Sequence, residues 1–97
     1  MSELDKAFYN RASELIQLAN QQNQDTEIKT GEVSASFMYA LARYNAWFGS
    51  TSFETKEQMA SKKQEMMDYY IERYKEMLEA NMSDYIEHFD HYRASQK

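Results

Sequence analysis

The two histidines of this sequence, His88 and His91, stand among Asp84, Glu87 and Asp90 near its C-terminal end. On a helix, steps of three and four residues bring Asp84, His88 and His91 to one face and Glu87 to the same side as His91. Imidazole and carboxylate at that spacing are the ligands of a weak divalent-metal site. The Glu-x-x-His pair of helical di-iron sites is absent, and a chain end makes a poor enclosed cavity. A solvated acidic face, with histidines favoured near a helix C-terminus by its dipole, accounts for the same residues. The reading is therefore no metal and no cofactor.

Arg43 is the second group with chemistry to offer. It interrupts the most apolar stretch of the chain, VSASFMYALARYNAWFGS at residues 33–50. With Tyr39, Asn45 and Trp47 around it, its guanidinium could anchor an anionic ligand. An isolated basic residue is more often structural, pairing with an acid such as Glu14 or Asp68 and fixing packing register, and a buried Asn45 more often satisfies backbone or register than ligand. Nothing else is set up for catalysis. Glycine-rich phosphate loops, nucleophile elbows and histidine-based triads are missing. The absence of Cys removes disulfides, thiolate chemistry and thiolate-held metals, and it fits a reducing, cytoplasmic setting.

The elements that would carry these residues follow from sparse punctuation: no Pro and two Gly in 97 residues. Three blocks with a period near 3.6 are predicted. The first opens at SELD, where Ser2 and Asp5 have capping-box spacing, and fades in NQQNQDTEIKTG. The second spans about 32–48, with Gly49 placed for a left-handed C-terminal cap. The third runs from about 54 to 94, with Thr51 or Thr55 as alternative starts. Its apolar arc loses phase beyond residue 80, so a break near 80–84, with Asn81 as cap and Ser83 as a new start, gives a short fourth helix. The expected fold is all-α, a small bundle of three main helices in a single domain over 1–97.

Wrapped at 100° per residue, the second block has two apolar flanks, Val33, Phe37, Ala40, Leu41, Tyr44 and Phe48 against Ala35, Met38, Tyr39, Ala42 and Ala46. Such a helix is expected to be covered on both sides and to sit at the centre. The third block carries a Tyr/Met stripe, and Tyr70, Tyr74, Met77, Tyr85 and Phe89 are its candidate dimer or partner surface. Lys56, Lys62 and Lys63, interleaved with acids, read as a solubilising surface.

Three stretches carry a resemblance: FYNRASELIQLANQQ, GEVSASFMYALARYNAWF and DYIEHFDHY. With them the chain resembles domain-of-unknown-function family 3144, small and mostly proteobacterial proteins, over nearly its whole length. The resemblance implies helices and a bacterial context. It implies no activity, ligand or catalytic residue.

Net charge of −5, from 16 acidic and 11 basic residues, disfavours phosphate backbones and anionic membrane surfaces. No apolar run approaches the ~20 residues that span a bilayer, and the charged N-terminus lacks a secretion signal's apolar core. Two functions remain open. One is a non-enzymatic helical interaction module acting as a homodimer, with room for another protein partner. The other is a small-molecule binder or enzyme that holds an anion near Arg43.

Overall fold

A computed structural model of the chain describes residues 2–95, and those residues are all-α. Four helices follow one another: α1 (Glu3–Asn23), α2 (Thr30–Ser50), α3 (Lys56–Glu87) and α4 (Phe89–Ser95). The chain divides into two units, Met1–Phe48 and Gly49–Lys97.

In the first unit, Ser2 caps α1 by accepting the Asp5 N–H on its Oγ at 3.1 Å, which satisfies one of the donors a helix start leaves open. Glu3 and Asp5 complement the positive end of the dipole. The link to α2 is held locally. Asp25 Oδ1 accepts the Glu27 N–H at 2.9 Å, an Asx turn of the kind that competes with helix, and the Lys29 carbonyl takes the first bonds of α2 from Glu32 and Val33. Beside this turn the helices meet. Leu15, Leu18 and Ala19 of α1 and Val33, Phe37 and Ala40 of α2 line a groove of about 250 Å³. Val33, 5% exposed, is the buried residue among those described.

That outcome corrects the expectation for α2. Ala42 and Ala46 are exposed, as are Phe37, Leu41, Tyr44 and Phe48. The two apolar flanks exist, but within this unit α1 covers α2 only near the turn. Beyond Ala40, the residues of α2 as far as Phe48 are exposed apart from the half-buried Asn45.

In the second unit, Thr55 and not Thr51 starts α3. Its Oγ1 accepts the Gln58 N–H at 3.2 Å, while Gln58 Oε1 accepts the N–H groups of Thr55 and Glu54. This is a full capping box. Gly49 is not a left-handed cap, because α2 runs through it to Ser50 and no described residue has positive φ. Its lack of a side chain serves proximity instead: a Cβ there would lie 3.2 Å from Met66 Sδ. Phe53, Met59, Met66 and Tyr70 are half-buried around this start of α3.

The break also falls elsewhere than expected. α3 is continuous through 80–84, and the turn is at His88, with φ −111° and ψ 31°. Asn81 does not cap. Its Nδ2 donates to the Met77 carbonyl at 2.8 Å, the back-bond by which a polar side chain stays inside a helix.

Candidate functional site

The second unit has two distinctive features, the corner between α3 and α4 and the apolar face of α3. The corner is organised by Asp84. Its Oδ2 accepts the Tyr92 hydroxyl at 2.6 Å, and its Oδ1 lies 3.1 Å from His88 Nδ1. Residues eight apart on a straight helix are separated by about 12 Å along the axis, so the turn at His88 is what brings Tyr92 within reach. The ring of Tyr92 then rests on that of Tyr85, with centroids 4.2 Å apart and planes 30° apart. On the other side of the turn, the Arg93 guanidinium lies over the Phe89 ring at 4.7 Å.

These bonds set the titration of the pair. The Tyr92 hydroxyl, more than the neighbouring His88, holds the Asp84 carboxyl below the ordinary carboxylate range, against a smaller opposing effect of desolvation. By the same bond Asp84 pushes the Tyr92 phenol up. The three-residue set Asp84, His88 and His91 does not converge as metal ligands, and no group of metal-binding side chains occurs among the described residues. The corner is a structural clasp.

The face of α3 extends from the clasp back toward the helix start. Every residue from 71 to 83 is exposed, although Ile71, Tyr74, Met77, Leu78 and Met82 are apolar or aromatic and recur at helical spacing. Of the expected partner surface, Tyr74, Met77 and Tyr85 lie on this exposed face, Tyr70 is half-buried at its edge, and Phe89 has moved onto α4. Ile71 and Leu78, 59% and 43% exposed, belong to the same stripe. Their three- and four-residue spacing from Tyr74 was the signal for them. The opposite side of the helix is polar and tied to itself, by Lys62 to Glu65 at 3.6 Å and by an Arg73–Glu76 ion pair, while Gln64, at the start of the stripe, donates to Asp68 beside it at 2.8 Å.

Around Arg43 the picture is different. Tyr39, Arg43 and Trp47 follow one another at four-residue steps along α2 and are exposed. Asn45 lies about 160° around the helix from Arg43 and is half-buried. The structure thus lines up three of the four candidate residues and sets the fourth apart. Trp47 packs toward Tyr44, with ring centroids 5.6 Å apart. Among the described residues of the first unit no carboxylate, Glu14 included, pairs with Arg43.

Compared with known proteins, residues 8–86 match the model of a family described as "Protein of unknown function (DUF3144)". No curated protein matches the chain. Among solved structures, the chain is similar to the NMR structure of the protein NB7890A from Shewanella sp. The two are 84% identical, the match covers 93% of this chain and 94% of that one, and the TM-score is 0.77. No helix among the described residues is long and apolar enough to cross a membrane.

Proposed function

We propose, from the premise that this chain belongs to the DUF3144 family of proteins of unknown function, that it is a non-enzymatic helical interaction module that works as a homodimer. The observation that carries this reading is the exposed apolar face of α3, Ile71 to Met82.

Ile71, Met77 and Leu78 are about half exposed, so covering the remainder contributes about half of the roughly 1.5–3 kcal/mol of full burial each. Doubled by two-fold symmetry, these residues alone reach the lower part of the ~4–15 kcal/mol that association costs. Exposed aromatic and Met side chains are also the composition of interface cores. The net charge of −5 argues for a protein partner over phosphate backbones or anionic lipid.

Light scattering on the intact chain at low micromolar concentration tests the reading. A mass twice the 11.6 kDa of one chain is expected. A single-chain mass, unchanged as concentration rises, would overturn it.

A further inference from the structure

The same face of α3 carries information about how a second copy lies on it. Charge is distributed unevenly along the helix. Residues 56–63 hold three lysines and one glutamate, whereas residues 76–87 hold four carboxylates and no lysine or arginine. The helix dipole adds positive character at the first end and negative character at the second. Two such helices side by side in the same direction bring acidic end against acidic end. Reversed, each lysine-bearing start meets a carboxylate-bearing end.

The seam residues agree with reversal. Positions 64, 67, 71, 74, 78, 81 and 85 alternate three and four apart, the spacing of a continuous helix–helix seam. Placing Ile71 opposite Tyr74 of the second copy puts Met67 opposite Leu78 and Gln64 opposite Asn81. Apolar residues then meet apolar ones, and amide meets amide. Asn81 already spends its Nδ2 on the Met77 carbonyl, which leaves its Oδ1 to accept from the Gln64 amide. In this register Lys63 approaches Asp84, a carboxylate that the clasp holds in place.

We infer that the occupant of the α3 face is the α3 of a second copy running antiparallel, centred between Ile71 and Tyr74, with Lys63 of each chain beside Asp84 of the other. This rests on the homodimer reading above and specifies its geometry.

Single cysteines at Ser61, Glu72 and Ser83 test it, because the chain has no Cys of its own and all three positions are exposed. They lie within about 40° of one another on the side of the helix away from the seam, so nitroxides there leave the contact intact. Pulsed electron–electron resonance on the dimer reads label-to-label distance. Antiparallel pairing offsets the two Ser61 labels by about 35 Å along the axis, the Ser83 labels by about 30 Å, and the Glu72 labels hardly at all. The expected pattern is therefore long, short, long. Equal distances at the three sites would overturn the antiparallel inference while leaving the dimer standing. No inter-chain distance at any site would remove the homodimer reading itself, and this inference with it.

Discussion

Asp84 shows how one side chain decides where a helix stops. It gathers the Tyr92 hydroxyl and the His88 ring, and only a chain that turns at His88 delivers Tyr92 to it. Tyr92→Phe keeps the ring that stacks on Tyr85 but deletes the donor. Amide exchange in residues 89–94 is expected to quicken severalfold, because a short helix without its clasp frays; unchanged exchange would show that ring stacking alone holds the turn. The pH dependence follows from the direction of the shift. The folded Asp84 carboxyl is held below its ordinary value of 3.8, so the clasp's contribution is complete above that range and fades as pH falls below it. The Tyr92 phenol is raised above 10.0, so its contribution is complete below that value and is lost as pH rises through the raised one. His88 faces Asp84 from the turn, and Tyr85 and His91 face Tyr92. Ultraviolet titration should find a phenol that ionises above 10.0 in the intact chain, and its contribution should be absent from Tyr92→Phe.

Each helix was legible to the degree that its signals were local. Ser2 and Thr55 announce helix starts because a cap and the donors it satisfies lie within three residues of each other. The break was misplaced because its cause is not local. Asn81 and Ser83 are good caps by type, yet the turn is made by a bond across eight residues, which no window of helical propensity contains. Gly49 misled in the same manner. A glycine after an apolar run is most often a left-handed stop, but here the requirement is room for Met66. Gly49→Ala separates the two roles. The new methyl meets only the flexible end of Met66 at 3.2 Å, and Ala gains up to ~1 kcal/mol of helix propensity over Gly. A small rise in thermal midpoint is expected, checked by circular dichroism. A left-handed glycine would instead make the substitution destabilising.

At the scale of the whole molecule, the sequence disclosed that α2 and α3 have more apolar surface than polar company, but not what lies against it. Periodicity names the face of a helix and is silent about its neighbour. That is why the two flanks of α2 were read correctly and their enclosure was not, since Ala42 and Ala46 are exposed. The Arg43 candidates suffered from the same blindness, as proximity in sequence placed Asn45 with residues from which the helix turns it away. A charge in the exposed stripe tests the role of α3 as a whole. Ile71→Glu places a carboxylate at the centre of the seam, where an unpaired buried charge is strongly destabilising. Sedimentation is expected to show dissociation tightening lost by at least a hundredfold, whereas Glu76→Gln on the polar side leaves assembly intact. Equal behaviour of the two variants would place the contact elsewhere.

The central claim is that the α3 face is covered by another copy of the chain. Isotope-filtered nuclear Overhauser spectra of a mixture of labelled and unlabelled protein address it directly, through the methyl groups of Ile71 and Leu78. Contacts from those methyls to protons of the unlabelled chain are the result this account predicts. Methyl contacts that arise solely within one chain would contradict it.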